Sequence, residues 1–414
     1  MDKKIEFGIG FLAGRPNVCN IINCYYKEII EQGNLENCKV NFTIFILLDL
    51  NYQSIPKEEF YKIDSEVYKY INIKYITPND IENAKEDITN LYKLDQNEID
   101  LIIGKGYARA RNTIMYMALK DKIDYLLFWD DDEYPVANIK NKENEILWIK
   151  QKNISEHLKN IINSNVTIGY RCGNMSPIPY IDFDLEFRKR DLKVYIDAIS
   201  NEAISWKKVK RMICFDKGIR YADKGVINHK KIKKIYNLGK KNWLLGSGIC
   251  INLHKIDDVP PFYNPPDARG EDTFFSTWLT NSKVLQIPTY HFHDSFLKYT
   301  NILKGQYPTE LVKIETNDDM IVKRFLDASV GWIKYKPLLI YILQRNKYKK
   351  IMNKTKKKLV ETIYKMNKKF DNYDFSVVLE ELEKYDMNVE KHYNEYIKTN
   401  EVWTKLKNEI KKEI

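Results

Sequence analysis

The sequence predicts an α/β fold, a sheet flanked by helices, followed by a helical C-terminal region. Over roughly the first 135 residues, apolar runs of strand length alternate with segments whose apolar residues recur at helical spacing. The apolar run 125–129 ends in three consecutive aspartates, Asp130, Asp131 and Asp132, with Glu133 behind them. In open α/β sheets, ligands bind outside the carboxyl ends of the strands, so this acid cluster marks a site. From about Thr316 the chain turns to long Lys/Glu-rich helical patterns with almost no glycine.

The elements follow in order. Residues 5–12 read as a strand that ends at Gly14, and Val18, Ile21, Ile22, Tyr25 and Ile29 then share one helical face. Residues 39–49, with Phe42, Ile44, Ile46 and Leu48 alternating, give the next strand. GKGYARARNTIMYMALKDK opens on Gly104 and Gly106 and sets Ala110, Ile114, Met117 and Ala118 on one helical face. It is no Walker loop, because the Gly-Lys-Ser/Thr ending is missing. The strand 125–129 comes next. NVTIGYRCG and NWLLGSGICINL read as further buried strands, and the basic stretch 182–242 is expected to be irregular. VPPFYNPPDARGEDTFFSTWL is a proline-rich loop leading into a short helix, and KVLQIPTYHFHDSF is a strand running into two histidines. In the tail, Pro337 argues against one regular helix through VGWIKYKPLLIYIL. No fixed-period repeat is present, which disfavours a solenoid. The expected division is a catalytic domain over 1–315 and a basic helical region over 316–414.

With 414 residues, 44% hydrophobic and 30% charged, the composition is that of a soluble globular protein with a substantial core. No run reaches the roughly 18 apolar residues that spanning a bilayer requires. The N-terminus shows no cleavage site after a long apolar run, so a cytoplasmic, uncleaved protein is expected. Cys19, Cys24, Cys38, Cys172, Cys214 and Cys250 lack paired short spacings, which argues against a zinc knuckle or a disulfide framework. The net charge of +10 is uneven, and ten lysines between 347 and 369 face only Glu361. Nucleic acid, an anionic membrane surface or an acidic polymer could use such a patch; so could self-association, or simply solvent.

Adjacent carboxylates resist burial unless something positive sits among them, and a cation is the first suspect. Magnesium and manganese bind through one or two carboxylates and leave positions for water and phosphate. Asp130 and Asp132 could hold such an ion while Asp131 faces elsewhere or touches a ribose; a solvated acidic loop is the plainer alternative. Glu271 and Asp272 stand at the start of a helical run, where capping and catalysis both favour acids. His291 and His293 share one strand face, with Phe292 opposite. Arg109 and Arg111 could reach a diphosphate, since guanidinium groups favour phosphate forks, or could form surface salt bridges.

Taken together, the acid cluster 130–132, GEDTFF (270–275) and YHFHDSF (290–296) resemble the nucleotide-sugar-dependent glycosyltransferases of the GT-A fold, the inverting family 2 type in particular. The resemblance spans about residues 5–300 and says little about the tail. It implies a GT-A-like, Rossmann-like mixed sheet flanked by helices. It implies that Asp130 and Asp132 hold Mn2+ or Mg2+ against the donor diphosphate, with an imidazole from His293, the better match to the pattern, or His291. Asp272 becomes the catalytic base, and Glu271 orients the acceptor. FLAGRPN, with Phe11, Ala13, Gly14 and Arg15, is similar to the loop that meets the nucleoside, and Asp49 to a contact with base or ribose. Gly246, Ser247 and Gly248 look like the strand end beside the donor sugar, although a packing constraint would explain them too. The implied donor is a UDP-sugar, and the acceptor is a hydroxyl of a glycan, protein or lipid-linked molecule. Transfer with inversion is implied, no nucleic acid partner is expected, and the inner face of the membrane is an alternative location. Two rivals stand beside this reading: a metal-dependent nucleotidyl or phosphoryl transferase, which gives Gly-Glu-Asp no role, and a basic scaffold protein.

Overall fold

The computed structural model of the chain describes residues 4–32, 40–50, 55–174, 177–201, 204–235, 244 and 248–413. Its first part builds β1 (Ile5–Ala13), α1 (Asn17–Gln32), β2 (Val40–Leu48), β3 (Ile71–Ile76), α2 (Pro78–Tyr92), α3 (Gln96–Ile102), α4 (Tyr107–Lys120) and β4 (Tyr125–Asp130). β1 pairs in parallel with β2 and β4, and β2 with β3. β1, β2 and β4 are buried on both faces along most of their length, so apolar residues fill both sides of the pleat, whereas the edge strand β3 is only partly covered. Phe45, Leu47, Leu126 and Phe128 face a core that includes Ile81, Ile99 and Ile114 of α2, α3 and α4. Ile44, Ile46, Leu127 and Trp129 face the other side, where the Tyr25 ring of α1 stacks on Trp129 with centroids 3.8 Å apart.

Beyond β4 come β5 (Glu133–Tyr134), the hairpin of β6 (Val136–Lys140) and β7 (Ile146–Lys150), α5 (Asn153–Ile161) and β8 (Val166–Gly173). Then follow α6 (Lys189–Ile199), α7 (Trp206–Cys214), α8 (Lys224–His229), β9 (Lys233–Ile235), β10 (Ile249–Asn252), α9 (Glu271–Trp278) and β11 (Val284–His293). Among the described residues the main sheet runs β3-β2-β1-β4-β10-β8-β11-β5, with β9 beside β11. β10 is antiparallel to both its neighbours, whereas β11 is parallel to β8. The expected α/β class is thus observed, and a mixed sheet flanked by helices with a helical C-terminal region is consistent with a GT-A-like fold.

Two local expectations are corrected. The stretch 182–242 is not irregular where it is described: it contains α6, α7 and α8, and α6 buries Leu192, Tyr195, Ile196 and Ile199 at helical spacing. Pro337 does not break the tail, because α10 (Asp319–Leu343) runs through it. Proline removes one amide donor and crowds the carbonyl four residues back, but Ile333, Tyr335, Leu338 and Leu339 are buried on both sides of it and hold the helix together.

The remaining helices are α11 (Tyr348–Lys369), α12 (Val377–Met387) and α13 (Val389–Glu413). α10, α11 and α12 share a core with α6, α7 and Phe274 of α9. Val402, Trp403, Leu406 and Ile410 of α13 join the core of β2 and β4, and the Trp403 indole donates to the Val259 carbonyl at 3.1 Å.

Candidate active site

The ends of β1 and β4 lie side by side, with Leu12 opposite Asp130, so the loop after β1 meets the acid cluster. Asp131 fastens that loop. Its Oδ2 accepts from the backbone amides of Gly14 (3.0 Å) and Arg15 (2.9 Å), and its Oδ1 accepts from Arg15 Nε at 2.8 Å. Arg15 Nη2 touches Asp131 as well and reaches Asp132 Oδ2 at 2.8 Å. The positive group among the aspartates is therefore first of all an arginine, itself buried. Burial pushes Asp131 up to about 6, with Arg15 opposing and Asp132 adding to the rise. Asp132 goes the other way: burial would raise it, but His293 and Arg15 hold it well below the usual carboxylate range.

Two further arginines complete the charge web. Arg111 enters from α4, whose start needs Gly106 at φ +91°. Its Nη2 lies 3.1 Å from Asp130 Oδ1 and its Nε 3.6 Å from Glu271 Oε1, while its guanidinium rests over the rings of Phe128 and Phe262. Arg171, near the end of β8, places Nε 3.0 Å from Glu133 Oε1 and Nη2 3.8 Å from Asp130 Oδ2. Burial raises the Asp130 pKa, Arg111 pulls it back, and Glu133 pushes it up again. Burial and the neighbouring Asp272 raise Glu271.

β11 brings the histidines in, and they part company. His293 Nε2 faces Asp132 Oδ1 at 3.4 Å, while its Nδ1 meets the Asn174 carbonyl. That contact orients the ring with Nε2 toward the acid. Burial works against protonation of His293, but Asp132 prevails and raises its pKa. His291 instead sets Nε2 3.3 Å from the fully buried Glu133. The next residue, Asp294, locks this corner: its amide donates to the Asp132 carbonyl at 2.8 Å, and its carboxylate accepts from Tyr134 Oη (3.0 Å) and the Tyr299 amide (2.7 Å).

Glu271 and Asp272 open α9. Gly270 stands before them at φ +98°, and a Cβ there would lie 3.0 Å from the Tyr335 ring, so glycine is required to aim this helix. Asp272 Oδ1 accepts from the Thr273 amide at 2.8 Å, and the Asp272 charge acts on Arg171.

The other sequence candidates fall in different places. Phe11 and Ala13 are buried in the core beside Trp129, so of that loop it is Gly14 and Arg15 that touch the cluster. Asp49 is exposed just past β2, with its amide on the Ala13 carbonyl at 2.9 Å. Arg109 is exposed and turns away, donating to the Asp100 carbonyl at 3.3 Å. Gly246 and Ser247 lie outside the described residues. Gly248 has φ +64°, and a Cβ on it would come within 2.6 Å of His291 Cε1, so what it makes room for is that imidazole.

Of the metal ligands expected, Asp130 and Asp132 with His293 or His291, the structure sets Asp132 and His293 face to face; among the described residues no group of three or more His, Cys, Asp or Glu side chains is arranged to hold an ion. Arg111 takes up Asp130, and Glu133 takes up His291. A smaller set does fit. Asp132 Oδ1 is buried without a good hydrogen bond and faces His293 Nε2, which makes an oxygen and nitrogen pair suited to a divalent ion completed by phosphate and water. Arg171 was missed in the sequence, and Glu133 was named only as the acid behind the cluster and given no role; the available signal was an arginine inside a buried strand, which demands a buried partner.

No family model matches the chain, and neither does any curated protein. Among solved structures, apo mouse xyloside xylosyltransferase 1 is similar with a TM-score of 0.24 and 7% identity, over 66% of this chain and 74% of that one. So slight a likeness carries no argument about the site, which stands on its own geometry.

Proposed function

We propose that this chain is a glycosyltransferase that moves a sugar from a nucleotide-sugar donor, a UDP-sugar in the first instance, to an acceptor hydroxyl with inversion. One observation carries the reading: the ends of β1, β4, β8 and β11 and the start of α9 bring acids, imidazoles and guanidiniums of opposite task to one place at the carboxyl edge of a sheet. Mn2+ or Mg2+ would sit on Asp132 and His293 and supply positive charge where the leaving diphosphate becomes more negative. Arg111 and Arg171 each hold a carboxylate at 3 to 4 Å and can turn the same fork to a phosphate oxygen. Asp131 keeps Arg15 and the Gly14 amide in place as the wall of the donor pocket. Asp272 removes the acceptor proton during attack from the side opposite the leaving group, and the buried Glu271, tied to Arg111, orients the acceptor.

Pyrophosphate chemistry remains the rival, and one experiment separates the two. In a thermal-shift screen of nucleotide sugars and nucleoside triphosphates, with and without manganese, a nucleotide sugar should stabilise the protein only with the metal, since a ligand for the native state stabilises it by mass action. Release of UDP from the stabilising ligand supports sugar transfer. Stabilisation by triphosphates with release of pyrophosphate or ADP refutes it.

A further inference from the structure

The lysine-rich helix α11 lies far from this chemistry in sequence, and its charges divide into two sets. Lysines beside its neighbours are paired: Lys356 with Asp386 (3.1 Å), Lys365 with Asp191 (2.6 Å), Lys368 with Glu186 (2.9 Å) and Lys369 with Asp184 (2.8 Å). Lys349, Lys350, Lys354 and Lys357 are all exposed and have no carboxylate partner among the described residues. At 100° per residue, Lys350, Lys354, Lys357, Val360 and Tyr364 fall on one stripe, opposite the buried Met352, Leu359 and Met366. Val360 is 65% and Tyr364 75% exposed, and Leu185, held at the far end of the helix by the flanking Asp184 and Glu186 bridges, is 87% exposed. Lys193 of the packed α6 adds its charge nearby, acting on Lys358 beside Lys354. Within α11 Glu361 is the one acid beside the stripe, and the Asp184 and Glu186 carboxylates at its far end are taken up by Lys369 and Lys368.

We propose that this face of α11 rests on an anionic lipid bilayer. Unpaired lysines in line with protruding aliphatic and aromatic side chains match a headgroup layer, where the cations meet lipid phosphates and the apolar groups enter the acyl boundary. A duplex of nucleic acid satisfies the lysines but offers nothing to Val360 and Leu185. No described helix is long and apolar enough to cross a membrane, so the contact is peripheral. It does not depend on the glycosyltransferase reading, and each can fail alone.

The test is co-sedimentation of the full chain with phosphatidylcholine vesicles, with vesicles containing phosphatidylglycerol as well, and, by gel shift at the same salt, with duplex DNA. Wild type should bind the anionic vesicles, release them as salt rises, and ignore pure phosphatidylcholine. Reversing Lys349, Lys350, Lys354 and Lys357 to Glu should weaken vesicle binding at least about tenfold, each lysine near an anionic surface contributing to the attraction. Reversing Lys27, Lys57, Lys142 and Lys304 instead changes the net charge equally and should leave binding near wild type. Unfolding midpoints of both variants separate lost docking from lost folding. Equal binding to neutral vesicles, equal loss in both variants, or tighter binding to DNA than to the anionic vesicles would each overturn the proposal.

Discussion

Replacing Arg15 by Met tests whether arginine neutralises the acid cluster. The side chains of Arg15, Asp131 and Asp132 are only 11%, 5% and 6% exposed, so solvent screens them little. Removing one member of a buried ion pair costs about 3 to 5 kcal/mol, because the partner charge is left uncompensated. Asp131 would keep its bonds from the Gly14 and Arg15 amides, which places the expected loss near the lower bound, about 3 kcal/mol. The sign of the pH dependence follows. Without the guanidinium Asp131, which already stands at about 6 with Arg15 present, is raised further by burial, whereas Asp132 keeps His293 beside it. Protonation of Asp131 as pH falls removes the uncompensated charge, so the deficit is full at neutral pH and shrinks toward acid. Urea denaturation of wild type and variant at neutral and mildly acid pH reads both quantities. A loss below about 1 kcal/mol, the scale of an exposed pair, or one that grows toward acid, would refute the reasoning.

Asp272→Asn should leave metal-dependent donor binding intact while slowing transfer about 100-fold or more, and isothermal titration beside a UDP-release assay checks the split. Gly248→Ala forces a Cβ against His291 at positive φ and should cost about 1 to 3 kcal/mol in denaturation experiments. Trp403→Ala should cost about 3 to 5 kcal/mol, measured the same way, because α13 buries that ring in the core of the sheet. Glu133, which burial would raise, is held down to about 2 by His291 and Arg171. Its contribution to stability is therefore complete above the ordinary glutamate value of about 4.3 and is lost as pH falls toward the folded value, so Glu133→Gln should flatten the acid limb of a pH-stability curve.

What could be read from sequence follows the range of the forces involved. β1, β2, β4 and β11 announce themselves because strands buried on both faces are written as apolar runs, and α9 because GED follows a proline-rich loop. α6 carries a helical spacing in Leu192, Tyr195, Ile196 and Ile199, but its lysines, arginines and aspartates mask it; their partners, such as Lys365 for Asp191, lie far along the chain. The same distance hid the arginine web. Arg15 and Arg111 stand out in sequence as donor-side candidates and Arg171 does not, but none of the three shows its carboxylate partners there; the loop after β1, the start of α4 and the end of β8 bring them against the acids only in the fold. Pro337 misled because local propensity yields to the packing of two apolar faces. His291 and His293, alike by alternation, differ in the acid each side chain meets: Glu133, the first residue of β5, for His291, and Asp132, just before β5, for His293.

The most direct measurement is a Mn2+ titration followed by electron paramagnetic resonance, with UDP present, on wild type, Asp132→Asn and His293→Ala. Bound manganese in the wild type and its loss in both variants is the expected result. Equal retention in all three, or no retention in the wild type, would contradict the proposal that the ion sits on Asp132 and His293.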